Sequence, residues 1–231
     1  MEFLLKLWLI LIGIVTIIFT SYTIIYFYYS KKPTNKFNKT YFPEVTLIIP
    51  FYNEEVILKK KIENTSKIKY PKGKLKVLFL NDHSNDRSIQ IIKDNTKNFP
   101  FNFKIANNEK EQGKPNALNY IFPKIKTEIT IITDADSLIK EDAIGILVQD
   151  FQSKGVGGVT AKLNILKPKG SKNTYNEEKT YRIFYDVWRK GESNLDSVSV
   201  CNGPLMAFRT KLIRGIKLSS TVDDTELVFE V

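Results

Sequence analysis

The sequence predicts an α/β domain with a mostly parallel sheet flanked by helices, preceded by one N-terminal transmembrane helix. Three observations support this fold class. From residue 45 onward, short apolar runs rich in β-branched residues alternate with longer amphipathic runs, which is typical of a doubly wound sheet. A long uncharged run occupies the N-terminus. Acidic and amide residues follow the apolar runs, where sheets of this kind bind their ligands.

The N-terminal run extends from Leu7 to Tyr29 without a charged residue. A helix needs ~20 apolar residues to cross a bilayer, so this run is long enough. Trp8 near one end and Tyr28 at the other are placed as interfacial aromatic residues. A signal peptide is the alternative, but its apolar region would be about 7–15 residues long and followed by a small-residue cleavage site, and neither feature fits.

The charges around this run predict its orientation and the domain boundaries. Lysines are more frequent after the run than before it, so the positive-inside rule places the following residues in the cytoplasm. We therefore expect residues 1–30 to be a single-pass anchor in the cell membrane. Residues 31–43 are basic and contain two prolines, which indicates a linker. Residues 44–231 are then expected to form the cytoplasmic domain.

The elements of that domain follow one another as strands and helices. Apolar runs predict strands at 45–50, 75–82, 101–107 and 128–134. Amphipathic runs predict helices at 54–68, 85–98, 113–122 and 140–152. The later pattern is less regular, and it predicts a strand within 155–166, an aromatic-rich helix at 176–192, a turn with a short strand and helix within 202–216, and the start of a helix within 221–231.

Composition limits the chemistry and indicates a partner. The formal net charge is +10, which favours an anionic partner such as a nucleic acid, a phosphorylated ligand or an acidic membrane surface. Cys201 is the single cysteine, so an internal disulfide is excluded. His83 is the single histidine, and it cannot build a histidine-based metal site alone.

Two carboxylates, Asp134 and Asp136, follow the strand predicted at 128–134 with only Ala135 between them. Helix capping is one explanation, because aspartate oxygens accept orphan backbone N–H groups at helix N-termini. Metal binding is the other, because charges at the end of a buried strand need a partner. Carboxylate oxygens suit Mg²⁺ or Mn²⁺, which also bind substrate phosphates.

Six segments, in order, resemble the motifs of the family 2 glycosyltransferases, in particular the membrane-associated, processive-type branch. They run from Val45 to Glu226 and read "IIPFYNEE", "LFLNDHSNDRS", "GKPNALN", "TDADS", "CNGPLMAFR" and "VDDTEL". Each segment is weak to moderate alone, and their order makes the signal specific. The resemblance implies a GT-A fold, which has a Rossmann-like sheet. It also implies transfer of a sugar from a nucleotide-diphosphate donor, expected to be UDP-linked, to a glycan or lipid acceptor at the membrane, with no nucleic-acid partner.

The resemblance also assigns residues to the donor site. Tyr52 and Glu54 would lie against the base and ribose, within the segment that includes Pro50. Asp82 would accept the N3–H of uracil, and Lys114 would lie near the phosphates as a point charge. The resulting nucleotide-sugar-binding set is Pro50, Tyr52, Glu54, Asp82, Lys114 and Asp134.

The resemblance assigns metal binding and proton transfer to two further residues, Asp136 and Asp224. Asp136 would bind the Mg²⁺ or Mn²⁺ ion that bridges the diphosphate, next to Asp134 on the ribose or donor sugar. Asp224 aligns with the catalytic base, which takes the acceptor proton in an inverting displacement. Asp223 and Glu226 depart from the family's residue types while keeping their charge. Helix capping is the alternative role for Asp223 and Asp224.

Other positions also differ from the family motifs, so alternative functions stay open. Asn81 replaces the first aspartate of its motif, and His83 replaces a glycine. The family's Gln-x-x-Arg-Trp motif and its later membrane helices would come after Val231, so we expect a truncated chain that binds donor but turns over poorly. Two further interpretations remain: a nucleotide-sugar-binding relative without activity, and a haloacid-dehalogenase-like phosphatase with Asp134 as nucleophile.

Overall fold

The computed structural model describes residues 1–33, 40–163, 172–198, 203–213 and 215–216. The chain forms two compact units. Unit 1 comprises Met1–Lys36 and Asn164–Ser199, and unit 2 comprises Phe37–Leu163 and Val200–Val231. The helix at Lys172–Leu195 therefore belongs with the N-terminal helix, whereas the sequence pattern assigned it to the domain at 44–231. The helix predicted within 221–231 lies outside the described residues.

Unit 2 is built on a six-stranded sheet in the order β3-β2-β1-β4-β6-β5. The first four strands in that order are parallel, and β6 runs antiparallel to both β4 and β5. This confirms the mostly parallel α/β class. The strands are β1 (Val45–Phe51), β2 (Leu75–Asn81), β3 (Asn102–Asn107), β4 (Ile129–Ile132), β5 (Gly158–Thr160) and β6 (Met206–Arg209).

Helices cover the sheet, and apolar residues of the central strand alternate between its two faces. Leu47 and Ile49 of β1 belong to a buried cluster that includes Leu58 of α2. Ile48 belongs to a second cluster with Leu118 of α4 and Phe208 of β6. Burial on both faces explains why β1 is apolar at every position except Thr46. The helices of this unit are α2 (Leu58–Ser66), α3 (Ser88–Asn95), α4 (Lys114–Ile121) and α5 (Ala143–Leu147).

Helices α2 and α3 begin later than the sequence pattern predicts, because the residues before them form loops that bond to each other. The Glu54 N–H donates to Ser88 Oγ (2.9 Å), and the Glu55 N–H donates to Asp86 Oδ2 (3.0 Å). These bonds tie the segment before α2 to the segment before α3. The carboxyl end of β1 is thereby fixed to the end of β2, and both loops stay open at the edge of the sheet.

The guanidinium of Arg209 anchors the end of β6 to the irregular segment that follows α5. It donates to the carbonyl oxygens of Phe151 (2.7 Å), Ser153 (2.8 Å) and Val156 (2.8 Å). Only the planar fork of arginine presents donors in that arrangement.

We expect Arg209→Lys to destabilise the protein by about 1–2 kcal/mol, because partly buried carbonyl oxygens lose their donors. The midpoint and slope of urea unfolding measure this. Arg87→Lys is the matched control, since the Arg87 side chain is 82% exposed and the same change there should leave the free energy of unfolding unaltered. Equal stabilities for both variants would contradict the anchoring role of Arg209.

Unit 1 pairs helix α1 (Glu2–Ser30) with helix α6 (Lys172–Leu195). The Tyr22 hydroxyl donates to Glu192 Oε1 (2.8 Å), and Asn194 Nδ2 donates to the Tyr29 carbonyl (3.0 Å). The Trp188 ring packs edge-on against Tyr22. Within the described residues, α1 is the one helix long and apolar enough to cross a membrane, judged by length and composition.

Candidate active site

The carboxyl ends of three adjacent parallel strands bring the predicted residues to one edge of the sheet. Tyr52 and Glu54 follow β1, Asp82 follows β2, and Asp134 and Asp136 follow β4. Backbone bonds extend the pairing just beyond the strands: the Asp82 N–H donates to the Phe51 carbonyl (2.9 Å), and the Thr133 N–H donates to the Ile48 carbonyl (3.0 Å). The loops therefore leave the sheet side by side.

The loop after β1 is held against the loop after β2. Asn53 adopts a positive φ of 52°, which asparagine tolerates better than most residues. Its N–H donates to Ser84 Oγ (3.0 Å), and its Oδ1 accepts from the Asn85 N–H (2.9 Å). This leaves the neighbouring Tyr52 side chain 46% exposed, open at the edge of the sheet where an aromatic ring can stack on a base.

Glu54 and Asp136 place two carboxylates close enough to repel each other. Burial raises the pKa of the Glu54 carboxyl, and the negative charges of Asp136 and Asp86 raise it further. Glu54 is half-buried and Asp136 is exposed. A cation between or beside these groups would relieve the repulsion, so the electrostatics favour a positively charged ligand here.

The donor set at this edge fits Mg²⁺ or Mn²⁺. In the part of the chain that the structure describes, no group of three carboxylate, histidine or cysteine side chains could hold a metal ion unaided. These ions commonly use one or two protein carboxylates and complete their shells with water and substrate phosphates. Asp136, with the Glu54 carboxylate whose pKa its charge raises, offers that number of oxygen ligands.

Lys114 lies at the start of α4 and pairs with Asp134. Its Nζ donates to Asp134 Oδ1 at 3.1 Å, with the two side chains 30% and 31% exposed. The structure therefore joins the lysine motif to the Asp134–Asp136 segment, as expected of a shared site. Partly exposed pairs of this kind contribute little to stability, so their main consequence is placement of a cation beside the carboxylates.

Asp82 is buried, and both of its carboxylate oxygens have partners within the protein. Oδ1 accepts from Asn108 Nδ2 (2.8 Å), and Oδ2 accepts from the Gly113 N–H (2.8 Å). Gly113 has a φ of 138°, which L-residues with a side chain rarely adopt. Asp82 thus fixes the loop that leads to Lys114. Each oxygen keeps a second acceptor position, so a base N–H can still be accepted.

The remaining predicted residues fall into three groups. Pro50 is buried within β1 opposite Leu80 of β2, so it shapes the strand. His83 has a φ of 64° and its ring Nε2 bonds with the Lys110 carbonyl, as a turn residue would. Asp224 lies outside the described residues, together with Asp223, Glu226 and Cys201.

Lys61 lies beneath the Asp134–Asp136 segment and was not among the site residues predicted from the sequence. Its side chain is fully buried, and its Nζ donates to Thr133 Oγ1 (2.9 Å), the Asp134 carbonyl (2.7 Å) and the Ser137 carbonyl (2.6 Å). Burial lowers the pKa of the Lys61 ammonium to about 7, against the opposing effect of the Asp134 and Asp136 charges. The only sequence signal was its place among three consecutive lysines in α2.

A separate cavity lies at the opposite edge of the sheet, at the amino end of β4. Its lining includes Lys126, Glu128 and Arg209. None of the predicted site residues contributes to it. The chemistry described above therefore belongs to the open edge at the carboxyl ends of the strands, which is where parallel α/β sheets bind ligands.

This strand order, with an acidic segment after β4, defines an α/β sheet of the class that binds ligands beyond the carboxyl ends of its parallel strands. The family model described as "Glycosyl transferase family 2" matches residues 46–216, more than half of the chain. The chain therefore belongs to the family 2 glycosyltransferases. This confirms the family that the six motifs indicated and argues against the phosphatase alternative.

Curated relatives make sugar-containing lipids and polymers, as their names state. The chain is 25% identical over 195 residues to a beta-monoglucosyldiacylglycerol synthase of Trichormus variabilis, covering 82% of this chain and 41% of that protein. It is 24% identical over 200 residues to a poly-beta-1,6-N-acetyl-D-glucosamine synthase of Staphylococcus epidermidis, covering 84% and 47% respectively. The chain thus spans less than half the length of these relatives.

Solved structures show the same fold. A mannosyltransferase of Pyrobaculum calidifontis, in complex with GDP-Man and Mn²⁺, superposes with a TM-score of 0.74 at 26% identity, covering 90% of this chain and 59% of that one. TarS of S. aureus, in complex with UDP-GlcNAc, gives a TM-score of 0.56 at 19% identity, covering 81% and 52%. The GT-A fold predicted from the resemblance is therefore confirmed.

Proposed function

We propose that this chain is the donor-binding part of an inverting glycosyltransferase. It transfers a sugar from a nucleotide-diphosphate donor, expected to be UDP-linked, to a glycan or lipid acceptor. The observation that carries the proposal is the ion pair of Lys114 with Asp134 at 3.1 Å at the carboxyl edge of the sheet, in the same segment as Asp136, whose charge raises the pKa of Glu54. Oxygen ligands and a lysine at one point suit a metal-bound diphosphate.

The relatives support the donor class and both kinds of acceptor. The Pyrobaculum mannosyltransferase was crystallised with GDP-Man and Mn²⁺, and TarS was crystallised with UDP-GlcNAc. The names of the curated relatives specify a diacylglycerol lipid in one case and a polysaccharide in another. The uridine preference rests on the resemblance of the residues around Asp82.

Each residue has a defined task in this mechanism. Asp136 would hold a Mg²⁺ or Mn²⁺ ion, with Glu54 as a second carboxylate whose charge interacts with it. A bound ion would supply positive charge to offset that of the departing nucleoside diphosphate. Lys114 adds a positive charge at the phosphates, and Asp134 orients both Lys114 and the donor sugar. Asp224 is proposed as the general base that takes the proton from the acceptor hydroxyl.

We propose further that α1 anchors the chain in the cell membrane, with unit 2 in the cytoplasm. Two lysines directly after the helix support this orientation. The Lys31 ammonium lies over the Phe27 ring at 4.4 Å, and the Lys32 ammonium lies over the Tyr29 ring at 4.0 Å. Aromatic residues with adjacent lysines are typical of the interface between lipid and water.

The donor is tested by a screen of nucleotide sugars. The purified chain is incubated with UDP-glucose, UDP-N-acetylglucosamine, UDP-galactose and GDP-mannose, with and without Mn²⁺, and both binding and nucleoside diphosphate release are measured. We expect metal-dependent binding of at least one uridine donor. Binding without release favours the nucleotide-binding relative without activity. Binding of none of the four donors would contradict the proposed function.

The role of Asp82 predicts how the uracil base is recognised. If its free acceptor position takes the N3–H, the wild-type chain should bind N3-methyl-UDP at least about tenfold more weakly than UDP, as expected for the loss of a hydrogen bond to a charged group. Asp82→Ala, which removes both acceptor oxygens, should bind the two nucleotides with similar affinity. Titration calorimetry in the presence of Mn²⁺ measures both. Equal affinities for the wild-type chain would show that Asp82 serves only the Asn108–Gly113 loop.

A further inference from the structure

Helix α2 turns a polar face toward the interior of unit 2, although helices of this kind normally bury apolar residues. Lys61 and Thr65 are both fully buried, with 0% exposure. Asn64 lies three residues from Lys61, so the two side chains share one face of the helix. All the inward bonds of Lys61 and Asn64 end on one short segment, which we call the Thr133–Ile139 turn.

Lys61 holds this turn on both sides of Asp136. An ammonium has three donors, and each has an acceptor here: Thr133 Oγ1, the Asp134 carbonyl and the Ser137 carbonyl. Two of these acceptors are backbone atoms that flank Asp136 in sequence. Thr133 in turn donates to the Pro204 carbonyl at 2.8 Å. The backbone around the proposed metal ligand is therefore fixed from beneath.

Asn64 holds the far end of the same turn. Its Nδ2 donates to the Ile139 carbonyl at 2.8 Å, and its Oδ1 accepts from the Ile139 N–H at 2.8 Å. The side-chain amide thus pairs with both backbone groups of one residue. Lys61 and Asn64 together leave the turn little freedom to move, although Asp136 itself stays exposed.

Packing alone does not explain a lysine at this position. Burying a charge is unfavourable unless it is fully hydrogen-bonded, and an apolar residue of similar size often serves stability as well or better. The contribution of Lys61 must then lie in what its ammonium positions. Groups behind a metal ligand commonly set its geometry and so determine the affinity for the ion.

We propose that Lys61 and Asn64 are positioning residues for the metal-binding carboxylate of Asp136, acting through the backbone of the Thr133–Ile139 turn without touching donor or ion. This inference rests on the proposed function, because it needs Asp136 to bind the metal. It also means that metal binding depends on polar side chains of α2 that lie outside the donor site.

The test is the Mn²⁺ dependence of UDP binding by Lys61→Met, which keeps the length of the side chain and removes its donors. We expect the Mn²⁺ concentration for half-maximal UDP binding to rise about 10–100-fold, while the UDP affinity at saturating Mn²⁺ falls much less. A general loss of structure would weaken the affinity for Mn²⁺ and the affinity for UDP together. Thr65→Val is the matched control, because Thr65 is equally buried on α2 but donates only to the Lys61 carbonyl. It should leave the Mn²⁺ requirement unchanged.

Asn64→Ala provides a second, milder variant that decides the question if Lys61→Met does not fold. It should raise the Mn²⁺ requirement severalfold, since Asn64 acts at the far end of the turn. If the wild-type chain binds UDP with Mn²⁺ and the variants that fold have the wild-type Mn²⁺ requirement, the inference is wrong and the proposed function stands. If the wild-type chain shows no Mn²⁺-dependent UDP binding, the proposed function and this inference both fail.

Discussion

Replacing Asp136 with alanine should abolish the Mn²⁺ dependence of UDP binding and weaken binding at saturating Mn²⁺ by at least about a hundredfold. Groups behind a metal ligand change metal affinity by about 10–100-fold when removed, and loss of the ligand itself should exceed that. Asp136 is exposed, and its side chain accepts a hydrogen bond from the neighbouring Ser137 Oγ at 3.2 Å. The variant should therefore fold as the wild type does.

Glu141→Ala provides the control for Asp136→Ala. Glu141 is another exposed carboxylate in the connection between β4 and α5, and it pairs with Lys69 at 2.9 Å. Its loss changes the net charge by the same amount and should leave UDP binding unaltered. Titration calorimetry with UDP at several Mn²⁺ concentrations compares the two. Wild-type binding by Asp136→Ala, or an equal loss in Glu141→Ala, would remove Asp136 from the metal site.

The second large effect concerns unit 1, where Gly191 allows α6 to approach α1. A Cβ at Gly191 would overlap the backbone carbonyl of Tyr26. Because backbone atoms on the facing helix cannot move aside as a flexible side chain would, Gly191→Ala should separate the helices. We expect a destabilisation of about 3 kcal/mol, at the upper end of the usual effect of overpacking.

The fluorescence of Trp188 reports this separation in a Trp8→Phe background, which leaves Trp188 as the only tryptophan. Trp188 packs against Phe19 and Tyr22 of α1, so its emission should shift to longer wavelength in Gly191→Ala. Gly13→Ala is the control, because a Cβ there meets no atom within 4 Å. An unchanged emission in Gly191→Ala would contradict the close pairing of the two helices.

The strands that carry the candidate site were predictable because most of their residues are apolar. The sequence shows β1, β2 and β4 as short, mainly apolar runs, and polar residues follow their carboxyl ends. The direction of β6 was not predictable in this way, since apolar periodicity identifies a strand without stating its direction. The start of α2 was also missed, because Glu54 and Glu55 favour helix locally but bond to Ser88 and Asp86 instead.

The candidate site was predictable where its residues follow a strand or lie in a motif, and no further. Asp134 and Asp136 stood out because charges at a strand end need an explanation. Lys61 did not, because a lysine in an amphipathic run normally lies on the solvent-exposed face of its helix. Its burial depends on contacts with residues more than 70 positions later in the chain. The partners of Asp82 are likewise distant in sequence, so its role in fixing Gly113 became visible only in three dimensions.

The central claim is that this edge of the sheet binds a nucleoside diphosphate together with a divalent cation. The most direct measurement is the dissociation constant of UDP for the wild-type chain, determined by calorimetry with saturating Mn²⁺ and again with excess EDTA. We predict binding in Mn²⁺ that is lost or weakened at least about a hundredfold in EDTA, as for Asp136→Ala, since the ion would link the carboxylate to the phosphates. Equal affinity in both conditions, or no binding in either, would contradict the account.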